Sequence, residues 1–151
     1  MKGNLRWFVV GLIALAAIIN YIDRGALGIL WPEIKAEFCF SNQDYANIFT
    51  VFVLAYAFGQ TIFGKLFDWL GTRIGFVLSI GVWSIATALH ALGGSAMSFA
   101  IFRGILGVAE AGNWPGAAKA NAEWFPTKER AFAQGIFNSG AAIGGIVSPI
   151  L

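Results

Sequence analysis

The segment Gly64-Lys-Leu-Phe-Asp-Trp-Leu-Gly-Thr-Arg73 separates two long apolar runs, at about 45–66 and 74–92. Each run approaches the roughly 20 residues that an α-helix needs to cross the hydrocarbon core of a bilayer. The runs are much longer than β-strands and do not alternate in polarity, so they favour helices. The segment therefore predicts a short turn between two membrane-spanning helices.

The remaining sequence contains three more apolar runs, at about 7–30, 96–117 and 131–151. Hydrophobic residues make up 58% of the chain and charged residues 12%, and the mean hydropathy is +0.70. Soluble domains of this size are rarely so apolar. The sequence therefore predicts an all-α membrane protein with about five transmembrane helices. No polar loop follows the last run, so we expect the chain to be the N-terminal part of a longer protein.

Local signals indicate where two of the helices end and begin. Trp31 and Pro32 are expected to end the first helix, because proline lacks the N–H group that a helix requires. Ser41 or Asn42 is expected to cap the start of the second helix. The expected domain is one incomplete bundle of helices joined by short connections.

Positive charges are distributed unevenly between the two sides of the predicted bundle. With the N-terminus in the cytoplasm, the outer loops contain only Lys35, and an excess of Lys and Arg marks cytoplasmic loops. The sequence also contains no Asn-x-Ser/Thr acceptor for glycosylation. We therefore predict a multi-pass protein of the bacterial inner membrane with a cytoplasmic N-terminus. The positive charges on the cytoplasmic side are Lys2, Arg6, Lys65, Arg73, Lys119, Lys128 and Arg130.

The first apolar run contains two charged residues, Asp23 and Arg24. Charges at membrane depth are costly and usually functional. In a helix they share one face with Asn20, with Tyr21 at its edge. The alternative is that the helix ends at Ile22 and that the charged pair lies at the membrane surface.

The fourth run also contains a base and an acid, Arg103 and Glu110. They lie on one helical stripe with Gly107, and the nearby Gly104 and Ala111 are small enough to let helices approach closely. About 10 Å of helix separates the two charges, so they need not pair with each other. A purely structural Arg–Glu bridge between helices is the alternative.

These residue types suit the binding of an organic anion together with a proton. A guanidinium group offers a planar fork that matches a carboxylate. A carboxyl group in a low-dielectric cavity can take up and release a proton. Tyr56 and Gln60, one turn apart in the second helix, offer groups suited to sugar hydroxyls, unless they only hold helices together.

The turn between the second and third helices resembles the signature loop of the major facilitator superfamily. The matching residues are Gly64, Asp68, Gly71 and Arg73, and the predicted topology places them on the expected cytoplasmic side. Trp69 departs from the pattern, because the family usually has a basic residue there. The departure weakens the expected charge network. The alternative is an ordinary tight turn in which Asp68 caps a helix.

Three further motifs cover nearly the whole chain. They resemble the anion:cation symporter family, which includes bacterial hexuronate and aldonate transporters and vesicular organic-anion transporters. The third motif, followed by Gly-Ile-Phe-Asn-Ser-Gly at 135–140, is most similar to the hexuronate branch. The motifs are Asn-Tyr-Ile-Asp-Arg at 20–24, Arg-Gly-Ile-Leu-Gly-Val-Ala-Glu-Ala at 103–111 and Glu-Trp-Phe-Pro-Thr-Lys-Glu-Arg at 123–130.

The resemblance implies a 12-helix fold, of which these residues would form the N-terminal part. In that fold the first and fourth helices are equivalent members of two inverted repeats, and both carry an acid and an arginine here. The resemblance also implies that Asp23 and Glu110 are the protonated acids. The candidate substrate-binding residues are Asn20, Tyr21, Arg24, Tyr56, Gln60 and Arg103.

The sequence therefore predicts a proton-coupled symporter of an organic anion such as a hexuronate. An aldonate or another monocarboxylate is the alternative substrate, and Na⁺ the alternative coupling ion. The expected partners are the anion, H⁺, the lipid bilayer and the C-terminal half of the transporter, without which we expect no transport. A truncated, non-transporting membrane protein or interaction subunit is the alternative function.

No other chemistry is indicated. One cysteine, one histidine and the absence of a paired catalytic motif or metal-ligand cluster argue against an intramembrane enzyme. The sequence predicts no cofactor, no metal site and no nucleic-acid partner.

Overall fold

A computed structural model describes residues 4–150, and the described chain is helical throughout, with no β-strand. Two stretches are long and apolar enough to cross a membrane, Leu5–Phe38 with mean hydropathy 2.0 and Asn42–Leu92 with 1.7. Lys2 and Leu151, which belong to the predicted charge pattern and last run, lie outside the described residues. The helices are α1 (Leu5–Phe38), α2 (Asn42–Leu89), α3 (Ala96–Glu110), α4 (Asn113–Trp124) and α5 (Thr127–Val147), with 3₁₀ turns at His90–Leu92 and Ser148–Ile150.

The long helix α2 is a hairpin of two arms, 42–70 and 72–89. Gly71 has φ 80° and ψ 168°, which breaks the helix in a conformation that favours glycine. Phe52 and Trp83 pack in one buried cluster, although a straight helix would hold them about 46 Å apart. The chain must therefore reverse at Gly71, inside the turn that the sequence predicts. The arms replace the predicted bounds 45–66 and 74–92.

The end predicted for the first helix is wrong, because α1 continues through Pro32 to Phe38. Ile34 and Phe38 pack against the cluster of Leu27, Ile48 and Phe99, and this burial holds the last two turns in place. Tertiary packing therefore outweighs the hydrogen bond lost at the proline. The alternative end at Ile22 is also excluded, since the helix is continuous there.

One of the two predicted residues caps the second helix, which begins at Asn42 rather than near 45. Ser41 is the N-cap residue: its hydroxyl accepts from the backbone N–H of Asp44 at 3.2 Å, and the Asp44 carboxylate accepts from the Ser41 N–H at 2.8 Å. This reciprocal capping box satisfies two backbone donors that the helix leaves free.

The predicted fourth helix, 96–117, is two helices with a break at Ala111 and Gly112. Pro115 lies four residues beyond Ala111, where its ring would clash with the Ala111 carbonyl in a continuous helix. The Gly112 N–H instead donates to the Ala109 carbonyl at 3.2 Å, which is a tighter turn. The regular hydrogen-bond pattern is therefore interrupted directly after Glu110, although Ala111 and Gly112 keep helical backbone angles.

The predicted polar connection at 118–130 is mostly helical. Helix α4 continues to Trp124, and α5 begins at Thr127 rather than near 131 and ends at Val147. Arg130 donates to the carbonyls of Phe125 and Ala122, at 3.1 and 2.8 Å, and so satisfies the end of α4. Charged residues made this stretch resemble a loop, yet here they lie on helix surfaces.

Small residues allow two close helix contacts. A Cβ atom on Gly107 of α3 would lie 2.6 Å from the Phe52 carbonyl oxygen of α2. On the other side of the bundle, a Cβ atom on Gly144 of α5 would lie 2.5 Å from the Ile18 carbonyl oxygen of α1. The small stripe predicted around Gly107 therefore serves helix packing, as is common in membrane proteins.

The Gly107→Val variant is expected to unfold at a markedly lower temperature than the parent protein. The added methyl groups would meet backbone atoms, which cannot rotate away, and overpacking of this kind costs about 1–3 kcal/mol. Thermal unfolding in detergent measures the effect. Gly135→Val is the matched control, because the Cβ atom at Gly135 would meet nothing within 4 Å. Equal unfolding temperatures for Gly107→Val and the parent would contradict the packing assignment.

Candidate anion and proton site

The two predicted charged helices meet through an ion pair between α1 and α3. Arg24 Nε donates to Glu110 Oε2 at 2.9 Å. The Glu110 side chain is 0% exposed, whereas that of Arg24 is 23% exposed. Removing a charge from water is costly unless an opposite charge pairs with it. The contact with Arg24 therefore compensates for the burial of the Glu110 carboxylate. Glu110 therefore pairs with Arg24 on another helix and not with Arg103 on its own.

Aromatic rings surround the Arg24 guanidinium. Its Cζ atom lies 4.2 Å from the ring centroid of Tyr56, 5.1 Å from that of Tyr21 and 5.7 Å from that of Phe52. Such faces attract a cation and orient the flat guanidinium group. The predicted pocket residues Tyr21 and Tyr56 are thus brought together around Arg24.

Arg103 has a different set of contacts. Its Nη1 and Nη2 atoms donate to the backbone carbonyls of Asp23 and Arg24, both at 3.3 Å. Its Cζ atom lies 5.5 Å from the ring centroid of Phe52, and the residue is buried. Arg103 therefore fixes the α1 backbone at the level of the charged pair, and it keeps donor capacity beyond these two long hydrogen bonds.

Both arginines line one cavity of about 240 Å³. Positive charge, a phenol and apolar walls converge there, which is the composition of a site for a small organic anion. The remaining lining residues come from the first arm of α2. The cavity is lined by Arg24, Phe49, Phe52, Val53, Tyr56 and Arg103.

Several buried polar atoms near this pair lack a hydrogen-bond partner among the described residues. They include Oε1 of Glu110, Nη2 of Arg24 and both amide atoms of Asn20. Natural proteins leave few such atoms unsatisfied, so each indicates unused capacity to bind water or a ligand. Gln60, which the sequence places beside Tyr56, is exposed on α2.

The sequence did not single out Asn113. This residue is fully buried three positions after Glu110, and neither amide atom has a partner among the described residues. The available signal was a polar residue within an apolar run. The break at Gly112 was not predicted, so the position of Asn113 relative to Glu110 could not be predicted either.

The signature loop contains an ion pair that the sequence also did not indicate. Lys119 Nζ of α4 donates to Asp68 Oδ1 at 3.0 Å and to the Phe67 carbonyl at 2.8 Å. Lys119 therefore caps the end of the first α2 arm and supplies a basic partner for Asp68. Trp69, where the family usually has a basic residue, is 82% exposed. The nearest signal was the shared cytoplasmic side predicted for Lys119 and Asp68.

The described part of the chain contains no candidate metal site. No group of three or more His, Cys, Asp or Glu side chains could hold an ion across residues 4–150.

Known proteins resemble this chain along its whole length. A galacturonate transporter of Dickeya chrysanthemi is 36% identical over 151 residues, which are 100% of this chain and 44% of that protein. A hexuronate transporter of Escherichia coli strain K12 is 37% identical over 151 residues, 100% of this chain and 35% of that protein. The chain thus spans less than half the length of these relatives.

The fold is also shared with a solved structure. A bacterial homolog of the human lysosomal transporter Spinster, in its inward-facing and unoccupied conformation, has a TM-score of 0.86 and 28% sequence identity. The match covers 95% of this chain and 30% of that one. The sequence profile of the Major Facilitator Superfamily matches residues 13–151. These are membrane transporters and not enzymes, so the family resemblance drawn from the motifs is confirmed. The chain belongs to the Major Facilitator Superfamily.

Proposed function

We propose that this chain forms part of a secondary active transporter that carries an organic anion of the hexuronate type together with H⁺. The buried Arg24–Glu110 pair beside the cavity of about 240 Å³ carries the proposal. Relatives named as galacturonate and hexuronate transporters support the substrate class. An aldonate, which has the same carboxylate and a row of hydroxyls, is the alternative substrate.

The ion pair suggests how anion and proton are coupled. Glu110 and a substrate carboxylate compete for the Arg24 guanidinium, because one planar fork matches one carboxylate well. A proton on Glu110 removes its charge and weakens the bond at 2.9 Å. Arg24 is then free to bind the substrate carboxylate with less competition. Release of the anion lets Glu110 lose its proton and pair with Arg24 again.

The remaining candidate residues have roles in this scheme that follow from their positions. Tyr56 offers a hydroxyl on the cavity wall and Gln60 an amide on the same helix, and both suit sugar hydroxyls. Arg103, which lines the same cavity and lies against the Phe52 ring, is the second positive charge that stabilises the anion. Asp23, which follows Tyr21 by two residues on α1, is the second acid that takes up a proton.

The proposed arrangement in the membrane follows the uneven positive charge. The N-terminus lies in the cytoplasm, and the five spans are α1, the two arms of α2, the bent pair α3 and α4, and α5. The proposed location of the protein is the bacterial inner membrane. A second helical half of a longer transporter closes the site, and rocking of the two halves exposes it alternately to each side.

Uptake by the complete transporter, purified and placed in liposomes, tests the function. With the outside more acidic than the inside, labelled galacturonate is expected to accumulate, and a protonophore is expected to abolish the accumulation. Labelled galactonate in parallel distinguishes an aldonate carrier. If accumulation resists the protonophore and follows a Na⁺ gradient, the coupling ion is Na⁺ rather than H⁺. If neither sugar acid is transported, the proposed substrate class is wrong.

The Asp68→Asn variant is expected to transport more slowly while binding substrate normally. Asp68 lies in the exposed signature loop and pairs with Lys119, far along α2 from Tyr56 at the cavity. Exposed pairs contribute little to stability, so its effect is expected on the movement between conformations. Uptake rate and substrate binding are measured on the same preparation. Glu123→Gln on the same side is the control, and weakened binding in Asp68→Asn would contradict the assignment.

A further inference from the structure

A second cavity, of about 440 Å³, lies between the later turns of α1, the end of α2 and the start of α3. Arg103 lines both this cavity and the smaller one, but Arg24 lines only the smaller and Asp23 only the larger. Asp23 therefore faces a different cavity from the one that Arg24 lines. The polar residues that line this second cavity are Asp23, Glu37, Thr87, His90 and Arg103.

His90, the one histidine of the chain, lies on the wall of this second cavity. Its Nδ1 atom is 2.7 Å from the Ala86 carbonyl oxygen, and a carbonyl only accepts, so Nδ1 carries the hydrogen. In the neutral ring Nε2 is then a free acceptor. That atom is buried and has no partner among the described residues. The rings of Phe99 and Phe102, with centroids 6.1 and 5.9 Å away, hold the imidazole in place.

Thr87, three residues earlier and on the same cavity wall, repeats the pattern. Its hydroxyl is buried and lacks a partner among the described residues. Both unsatisfied groups belong to residues of a cavity that Asp23 also lines, which makes the cavity a place for ordered water. Each water takes about 30 Å³ in the liquid, so the volume suffices for a chain of several molecules.

We propose that this cavity is a hydrated proton path and that His90 relays protons between it and the carboxylate of Asp23. The proposal rests on the proposed proton-coupled function. In the step, the Nε2 lone pair takes a proton from a hydronium ion in the cavity water. The O–H bond of that ion breaks to leave neutral water, and the ring becomes an imidazolium. The Nε2–H bond then breaks, and the proton passes through water to a carboxylate oxygen of Asp23. Asp23 becomes neutral, and His90 returns to its starting form.

The charges around His90 suit a relay that does not retain the proton. Asp23 and Glu37 of α1 attract a proton to the cavity, while Arg103 of α3 disfavours a lasting imidazolium. Imidazole changes its charge near physiological pH, which makes it an efficient proton shuttle. From the sequence, His90 was expected to lie at the membrane interface or to be packed, with a role in coupling as the minor alternative.

The test compares two transport modes of the His90→Gln variant in the complete transporter. Proton-driven uptake of labelled galacturonate is expected to fall about tenfold or more, since proton transfer by a positioned side chain contributes at least that much. Exchange of labelled for unlabelled galacturonate without a pH gradient is expected to match the parent protein. Unchanged proton-driven uptake, or an equal loss of both modes, would overturn the relay.

A second measurement separates a relay from a packing role. His90→Phe keeps a ring that can pack against Phe99 and Phe102 but cannot take up a proton. In this variant proton-driven uptake is expected to fall as in His90→Gln, while exchange matches the parent. Proton-driven uptake by His90→Phe at the parent rate would overturn the proposal. If the parent protein accumulates galacturonate without any dependence on protons, the proposed function itself fails. If proton-driven uptake is normal in both the parent and His90→Gln, the relay is refuted while the proposed function stands.

Discussion

Glu110→Gln is expected to abolish proton-driven accumulation of substrate while sparing exchange. The amide has the same shape as the carboxyl group but cannot take up or release a proton, so Arg24 loses the competitor that couples the two events. One pH unit across a membrane supports about tenfold accumulation per coupled proton, since tenfold corresponds to about 1.4 kcal/mol. In the variant the internal and external concentrations are therefore expected to become equal. Uptake into liposomes with an imposed pH gradient measures this.

Glu123→Gln is the matched control for that substitution. Glu123 is exposed, and its carboxylate accepts from the Thr72 hydroxyl at 2.8 Å, a contact that a glutamine oxygen can keep. The control is expected to accumulate substrate as the parent does. Full concentrative uptake by Glu110→Gln would show that another group carries the coupled proton.

Arg24→Ala is expected to lose binding of the acid substrate and also to lower the stability of the fold. The variant removes the fork that the substrate carboxylate needs and leaves Glu110 buried without its partner. Truncating one member of a buried, hydrogen-bonded charge pair costs about 2–5 kcal/mol. Calorimetric titration with galacturonate measures the binding, and thermal unfolding measures the stability.

Two further variants separate binding from stability. Arg24→Lys keeps the positive charge but loses the planar fork and the fit to the Tyr56 ring, so weak binding is expected. The double variant with Glu110→Gln removes the unpaired carboxylate and is expected to regain stability without regaining binding. Normal galacturonate affinity in Arg24→Ala would exclude Arg24 from the binding site.

Much of the fold was predictable because the signals are local. The turn at Gly71 was predictable from a segment with glycines and charged residues between two apolar runs, and the cap was narrowed to Ser41 or Asn42, of which the structure has Ser41. The apolar composition alone indicated a helical membrane protein. Even the charged stripe on α1 could be drawn from helical periodicity, which places Asn20 and Arg24 on one face.

Helix boundaries were less predictable where packing competes with local preference. Pro32 is an unfavourable residue inside a helix, yet the burial of Phe38 near Phe99 keeps α1 helical beyond it. Pro115 has the opposite outcome: it lies near the start of α4, and the helical hydrogen-bond pattern is interrupted about four residues earlier, at Ala111 and Gly112. The two prolines look alike in the sequence, where each follows a tryptophan. The contacts around them in the fold come from distant parts of the chain, so the sequence does not show which proline interrupts a helix.

The amino-acid sequence is enough to identify a helical membrane protein with arginines and acids on two of its helices, because hydropathy and helical periodicity are properties of neighbouring residues. It does not reveal that Glu110 pairs with Arg24, that Tyr21 and Tyr56 surround that guanidinium, or that Asp23 and His90 share a separate cavity. Most of these contacts join residues far apart in the chain. They depend on how the reversal at Gly71 directs the helices and on how closely the small residues let them approach.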